Sequence, residues 1–308
     1  MQARTDSKQI SNPDPAVARP PEAKRPRAKT APPFTDILCA VDGSRGSSEA
    51  VHRAIALCGP GTALCFVAVT DEVGVGLTRQ ADLSEMHARN VLEESTAIAR
   101  QAGIEASVSL LRGAPSSDLL LAAAAKHDLL VVGCHGGSRL GAIMLGSTAS
   151  QLAHRAECPL LVARRTADAD HFPQSILLAT DGSPGSWAAA RIATGLAKAE
   201  RSELRLVYVP DGTHPERYRE VLKQLTVIEK ATGSPPAVVD NPGHVAERIG
   251  EAARAGQSSL VVIGRRGVSG LKALGSVSER VVHRAPCSVL LVPIRRTEPL
   301  CSSRDSTS

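Results

Sequence analysis

The sequence predicts an α/β protein built as two tandem doubly wound sandwiches, each with a parallel sheet covered by helices on both faces. Three observations support this fold class. Short apolar runs alternate with longer amphipathic segments, a pattern typical of parallel sheets. Three sequence blocks occur twice in the same order. The chain has 308 residues, 43% of them hydrophobic, so each of two domains could bury a core of its own.

The duplication places equivalent segments in the two halves of the chain. DILCAVDGS at 36–44 returns as QSILLATDGS at 174–183. LVVG at 130–133 returns as VVIG at 261–264, and HRAECPLLV at 154–162 returns as HRAPCSVLLV at 283–292. Because the order of segments within each copy is the same, we expect two similar domains rather than a solenoid.

Each copy is expected to hold five short strands, with a longer helix between each strand and the next. In the first copy we predict strands near 36–41, 63–69, 106–111, 128–132 and 159–163, and helices near 45–58, 82–102, 115–126 and 146–156. In the second copy we predict strands near 175–180, 203–209, 236–239, 258–263 and 288–292, and helices near 184–199, 215–232, 243–255 and 276–285. Right-handed crossovers then put helices on both faces of each sheet.

These elements set the expected domain limits, 34–165 and 174–296, with a polar join from Arg164 to Pro173. Residues 1–33 are rich in Pro, Ala, Lys and Arg and show no apolar period, which predicts a disordered basic tail. The polar residues 297–308 are expected to form a second flexible tail.

The charge distribution and the aromatic content argue against a nucleic-acid-binding body. The formal net charge is +5, and residues 1–33 hold seven Lys or Arg and three acidic residues, so the body carries only about +1. Six aromatic residues offer little base stacking for single strands. The basic tail is interpreted as a solvated segment, with contact to nucleic acid or anionic lipid as the alternative.

Cysteine usage and hydropathy predict a cytoplasmic location. None of the seven cysteines forms a CxxC motif and most lie in apolar runs, which indicates reduced core thiols. No apolar run reaches the length of a membrane span, and no secretory signal is visible at the N-terminus.

A glycine pattern between a buried strand and a helix predicts a phosphate site. Gly133 and Gly136 follow the apolar run 129–132, and nine residues later Gly146-Ser147-Thr148 opens a helix. Glycines allow a sharp turn and close approach to a ligand, and a helix N-terminus offers free N–H groups and a positive dipole end. The P-loop pattern GxxxxGK[ST] is absent. The alternative is an ordinary strand-to-helix turn.

Side chains near this pattern extend the predicted site. Asp42 ends the first strand, and ligands of open parallel sheets bind beyond such strand ends. Its carboxylate could take a ribose hydroxyl, a base amine or a phosphate-bound metal; the alternative is that it caps the next helix. Ser138, Ser147 and Thr148 offer hydroxyl groups, and Arg139 offers either a cation or a solvated side chain. Cys134 is interpreted as a small passive side chain, with a redox role as the alternative.

The second copy carries a shorter version of the pattern, with seven residues instead of nine between its second and third glycines. A shorter loop reaches less far around a triphosphate, so this site is expected to be weaker. Arg265 and Arg266 either compensate or face water. The predicted residues are Asp181, Gly264, Gly267, Gly275 and Ser276.

Taken together, AVDGS at 40–44, the Gly-x-x-Gly-(nine residues)-Gly-Ser pattern and CPLLV at 158–162 resemble a domain of the universal stress protein family, of the ATP-binding type. The second half resembles it again through TDGS at 180–183 and GRRG at 264–267. The resemblance covers about residues 34–165 and 174–296, so the chain is similar to a tandem member of that family.

The resemblance implies a five-stranded sheet in the order 3-2-1-4-5 and ATP as the ligand, with or without Mg²⁺. It also implies pairing of the last strands, 159–163 with 288–292, as an internal pseudo-dimer, and further pairing into a homodimer. Residues at the base end would be Ala40, Asp42 and Val69. Residues around the phosphates would be Gly133, Gly136, Gly137, Ser138, Arg139, Gly146, Ser147 and Thr148.

The function hypothesis is a cytoplasmic stress-response regulator that binds ATP and an unidentified protein partner. Hydrolysis is expected to be slow or absent, since no general base or arginine finger is recognisable and no catalytic residue is assigned. One alternative is a nucleotide-independent interaction module; another is a nucleotide-hydrolysing enzyme of the same sandwich class. A bulky residue at Gly133 is expected to abolish ATP uptake without unfolding the chain.

Overall fold

The computed structural model describes residues 33–70, 78–134, 145–165, 171–210, 215–233, 237–240, 243–266 and 274–294. The predicted tails, 1–33 and 297–308, lie outside the described residues except for Pro33. The domain limits therefore stay a prediction, whereas the elements can be compared one by one.

All ten predicted strands and eight predicted helices are present, so the predicted fold class is confirmed. The first half contains β1 Asp36–Ala40, α1 Arg45–Ala56, β2 Ala63–Thr70, α2 Thr78–Gln101, β3 Ala106–Arg112, α3 Ser116–Ala124, β4 Leu129–Gly133, α4 Ser147–Arg155 and β5 Leu160–Ala163. The second contains β6 Ser175–Thr180, α5 Pro184–Glu200, β7 Glu203–Tyr208, α6 Pro215–Thr232, β8 Ala237–Asp240, α7 Val245–Ala255, β9 Leu260–Gly264, α8 Ser276–Arg284 and β10 Ser288–Val292. The largest difference is α2, which begins four residues before its predicted start.

The strands form one ten-stranded sheet in the order β3-β2-β1-β4-β5-β10-β9-β6-β7-β8. Each half is parallel and has the expected order 3-2-1-4-5. The halves meet where β5 and β10 pair antiparallel, with Leu161 opposite Leu290. The pairing of last strands within one chain that the resemblance implied is thus present. We call this line of contact the seam.

Two apolar layers cover the sheet, one on each face. Helices α1, α2, α5 and α6 bury their apolar sides on one face, and α3, α4, α7 and α8 on the other. The central strands β4 and β9 are apolar along almost their whole length because both their faces are covered. No helix in the described part of the chain is both long and apolar enough to cross a bilayer.

The repeated Asp-Gly-Ser is a strand-to-helix turn in both halves. Ser44 is the N-cap of α1 and accepts a hydrogen bond from Ser47 N at 3.1 Å. Ser183 caps α5 in the same way, from Ser186 N at 3.3 Å. The glycine before each cap has a positive φ, +76° at Gly43, which glycine adopts without steric penalty. The turn therefore fixes where each first strand ends and its helix begins.

Replacing the cap of α5 should weaken the fold modestly. Ser183→Ala leaves the buried Ser186 N–H without its side-chain acceptor, and we expect a loss of about 1 kcal/mol in the free energy of unfolding. Urea denaturation of the full chain measures it. Ser48→Ala, an exposed position within α1, is the matched control and should change stability by less than about 0.5 kcal/mol. Equal effects in the two variants would contradict the assigned cap.

Candidate functional site

A cavity of about 420 Å³ opens at the carboxyl ends of β1, β2 and β4, on the side of the sheet that α3 and α4 cover. It lies where the strand order turns back, since β1 pairs with both β2 and β4. Residues in five stretches of the chain, 40–47, 67–69, 116–120, 132–133 and 146–149, line it. The lining residues are Ala40, Val41, Asp42, Ser44, Ser47, Val67, Val69, Ser116, Leu120, Val132, Gly133, Gly146, Ser147, Thr148 and Ala149.

Most of the residues predicted for the first site come together around this one cavity. Those that line it are Ala40, Asp42, Val69, Gly133, Gly146, Ser147 and Thr148. The other four, Gly136, Gly137, Ser138 and Arg139, lie outside the described residues. Contact of any of them with a nucleotide stays a prediction.

The sequence analysis missed eight lining residues, among them Ser116 and the apolar side chains Val67, Leu120 and Val132. Ser116 opens α3, just as Ser147 opens α4, so each contributes a hydroxyl group beside a helix N-terminus. A search for serines at helix starts that follow strand ends would have found Ser116. The apolar residues carry no comparable signal, since any buried strand or helix could supply them.

The N-terminus of α4 lies at the cavity, and its first residues form part of the cavity wall. A helix leaves its first N–H groups without intrahelical partners, and in α4 these belong to Ser147, Thr148 and Ala149, which all line the cavity. No described side chain caps this end, in contrast to α1. The arrangement suits an anion, because donors and the positive dipole end face the same space.

Backbone hydrogen bonds join Cys134, the residue after β4, to the end of β5 and to the residue before α4. Cys134 N donates to Ala163 O at 3.1 Å, and Cys134 O accepts from Gly146 N at 2.9 Å. The chain therefore leaves β4 and returns to α4 at one point, beside the cavity. The second half repeats the closure with Arg265 O and Gly275 N, also at 2.9 Å.

Gly133 is required by packing within the protein. A Cβ added there would lie 2.7 Å from Ser47 N and closer still to the backbone carbonyl of Gly46. The end of β4 and the start of α1 are thus in direct backbone contact. The expectation that a bulky residue at Gly133 would leave the chain folded is wrong, because the new side chain would collide with α1 before it reached a ligand.

Asp42 takes part in a turn and also lines the cavity. Its Oδ1 accepts from Ser44 N at 2.9 Å. The cap of α1 is Ser44, so the alternative that Asp42 itself caps the helix is wrong in detail. Within the described ranges, no cluster of three or more His, Cys, Asp or Glu side chains is placed to hold a metal ion.

In the second half, the equivalent strand ends and helix starts, called here the second crevice, carry fewer hydroxyl groups than those of the first half. Asp181, Gly264, Gly275 and Ser276 occupy the predicted positions at the ends of β6 and β9 and the start of α8, while Gly267 lies outside the described residues. Val245 opens α7 where Ser116 opens α3, and Val277 is the second residue of α8 where Thr148 is the second of α4. Two hydroxyl groups of the first crevice are therefore replaced by apolar side chains.

Arg265 crosses the seam and does not simply face water; whether it compensates for the shorter loop stays a prediction. Its Nη1 donates to Ala156 O in the first half. Burial, and next the adjacent Arg266, hold the pKa of its guanidinium below the ordinary value. Both arginines line a second cavity, of about 550 Å³, between α3, the end of α4 and the end of β9. This larger cavity contains no helix N-terminus and no lining from β1 or β2.

The cysteines in the described ranges are buried, except for the half-buried Cys65. Burial raises the pKa of Cys134 even though the Arg164 charge opposes the shift, and it raises the pKa of Cys287 to about 12. A neutral buried thiol is a poor nucleophile. The structure therefore favours the passive role for Cys134 over the redox alternative.

Comparison with known proteins agrees with the fold and the duplication. The model of the "Universal stress protein family" matches residues 33–164 and 214–293. A universal stress protein of Thermus aquaticus is 37% identical over 134 residues, which cover 39% of this chain and 98% of that protein. One of Mycobacterium tuberculosis strain H37Rv is 27% identical over 286 residues, 85% of this chain and 97% of its own length.

A solved structure supports the same architecture along most of the chain. The crystal structure of a universal stress protein from Archaeoglobus fulgidus superposes with a TM-score of 0.71 at 22% identity. It covers 84% of this chain and 98% of that one. Identity at this level supports the fold alone.

Proposed function

The chain belongs to the universal stress protein family, and from that premise we propose that it is a stress-response protein that binds ATP in the cavity of its first half. The single observation that carries the proposal is the uncapped N-terminus of α4 facing that cavity. Backbone N–H groups and a positive dipole end form an anion site without a lysine.

The cavity walls divide into two regions that suit the two ends of ATP. Val67, Val69 and Leu120 offer apolar surface for the adenine ring, while Ser147 and Thr148 add hydroxyl donors beside the α4 amides for the phosphates. The volume of about 420 Å³ lies within the range of ordinary small-molecule sites.

Asp42 is the only carboxylate among the described lining residues. Oδ1 is engaged with Ser44 N, so Oδ2 is the oxygen that would accept a ribose hydroxyl or contact Mg²⁺ carried by the phosphates. The absence of a three-ligand cluster in the described ranges supports a metal that arrives with the nucleotide. Such a metal would neutralise phosphate charge and so reduce repulsion from Asp42.

We further propose that hydrolysis is slow or absent. The described lining holds no Lys or Arg to stabilise charge on a transferring phosphoryl group. A protein with these properties signals to a partner protein through its bound state rather than by turnover. Its location would be the cytoplasm, where buried thiols stay reduced. A homodimer of two such chains is part of the same proposal.

Titration of the purified full chain with ATP tests the function. We expect one ATP per chain by calorimetry, because the second crevice has lost two hydroxyl groups and part of its loop. Mass spectrometry of nucleotide released from fresh protein gives an independent count. No heat, no thermal shift and no released nucleotide would overturn ATP binding and favour the interaction module. Two ATP per chain would overturn the restriction to the first half, and turnover near 1 per second or faster would favour the enzyme.

A further inference from the structure

Arg164 joins the base of the proposed nucleotide site to the second half of the chain. It follows β5 directly and is only 7% exposed. Its Nε donates to Cys134 Sγ at 3.1 Å. Its Nη1 donates to Ala285 O at 3.1 Å, and Nη2 donates to Val282 O at 2.7 Å and His283 O at 3.2 Å. One buried guanidinium therefore bridges a residue of the first half and the last turn of α8.

The end of α8 is chemically matched to an arginine. The last carbonyl groups of a helix lack intrahelical partners and carry the negative dipole end, which a cation satisfies. Ser288 fixes the backbone of Arg164 from the other half, since its hydroxyl bonds both Arg164 N at 3.1 Å and Arg164 O at 3.2 Å. The side chain is thus held at its backbone and at its guanidinium.

The other partner, Cys134, is the residue that closes the segment between β4 and α4. Its backbone carbonyl accepts from Gly146 N, the N-cap of α4, and Gly146 lines the cavity. Arg164 is therefore linked through Cys134 and Gly146 to the α4 amides that would hold phosphate. A shift of Arg164 would be passed to the start of α4 through Cys134.

We infer that Arg164 is a positioning residue for the nucleotide site and that it transmits occupancy of that site to the end of α8. The inference rests on the proposed function and adds the route by which a bound nucleotide would act beyond its own half. Coupling between two sites is reciprocal, so a contact at the end of α8 that favours ATP binding must itself be favoured when ATP is bound.

A second arginine that bonds across the seam, Arg265, supplies the control. Arg265 donates to Ala156 O just after α4, as Arg164 donates to Ala285 O just after α8. Each half thus places one arginine on the helix end of the other. Arg164 contacts Cys134 in the first-half loop, whereas Arg265 belongs to the second-half loop. Loss of either arginine removes a cross-seam contact. Arg164 bonds Cys134, whose carbonyl accepts from Gly146 N at the cavity, whereas Arg265 bonds the far end of α4, away from the cavity.

We expect Arg164→Met to weaken ATP binding by about tenfold or more in the full chain, and Arg265→Met to change it by less than about twofold. Calorimetry with ATP gives the affinities, and circular dichroism and thermal melting verify that each variant is folded. Unchanged binding in Arg164→Met would overturn the inference. An equal loss of ATP affinity in both variants would also overturn it, because weakening of the seam in general would then explain the loss in Arg164→Met.

Hydrogen exchange on the wild-type chain tests the same link without a substitution. Saturating ATP should slow amide exchange over residues 282–288, and α6 should be unaffected. Ser147→Asp, which should not bind ATP, is the negative control. If no ATP binds to the wild type, the proposed function fails. If ATP binds and exchange over 282–288 does not change, the proposed function stands and the role of Arg164 is refuted.

Discussion

Ser147→Asp should abolish ATP binding at ordinary concentrations while leaving the fold as stable as the wild type, or slightly more stable. Ser147 is exposed and is the first residue of α4. A carboxylate there complements the helix dipole, which stabilises a helix by about 0.3–1 kcal/mol. The same charge occupies the space proposed for phosphate. Two unit charges about 4 Å apart repel by about 4 kcal/mol at an effective dielectric constant of about 20, so we expect at least about 100-fold weaker binding.

The second half offers the matched control for this substitution. Ser276 is exposed and is the first residue of α8, whose N-cap is also a glycine without a side-chain cap. Ser276→Asp should give the same small stabilisation and leave ATP affinity within about twofold. Calorimetry and thermal melting of both variants give the comparison. ATP binding that survives in Ser147→Asp would place the phosphates elsewhere, and loss in Ser276→Asp would show that the second crevice is the working site.

The fold could be predicted because its signals are local and are repeated. Apolar runs mark the strands, and the Asp-Gly-Ser turn marks the same junction in both halves through a glycine at positive φ and a serine cap. The predicted start of α2 is four residues late because Thr78-Arg79-Gln80-Ala81 adds little apolar periodicity to the pattern. The periodicity of apolar residues predicts that a helix or strand is present. The residue at which a helix begins or ends depends on hydrogen bonds that this periodicity does not encode.

The site was predictable where it depends on strand ends. Gly133 ends β4, and Asp42 lies two residues beyond the end of the neighbouring parallel strand β1, so topology alone brings them to one edge of the sheet. Contacts across the seam were not predictable in the same way. Arg265 meets Ala156 and Arg164 meets the end of α8 only because β5 and β10 pair in one register. Sequence separations of more than 100 residues leave no local pattern for such contacts.

Divergence between the halves has a consistent physical direction. The first crevice keeps Ser116 and Thr148, while the second has Val245 and Val277 at those positions. The residue after β9 is Arg265, which caps a helix of the first half, whereas its counterpart Cys134 accepts a hydrogen bond from Arg164. The second half therefore has fewer hydroxyl groups at these helix starts, and its residue after β9 bonds across the seam.

Gly133→Ala should destabilise the chain by about 3 kcal/mol or more, the upper end of the range for overpacking. The new Cβ would meet the backbone of Gly46 and Ser47, and backbone cannot move aside as a flexible side chain can. Gly250→Ala is the same chemical change within α7, where the nearest atom to the new Cβ is Arg254 Nη1 at 3.9 Å. There the helix gains the propensity of alanine, about 0.5–1 kcal/mol. Denaturant unfolding of the two variants should thus give opposite signs. A Gly133→Ala chain as stable as the wild type would show that β4 and α1 are not in backbone contact, and the glycine would then have to be explained by a ligand.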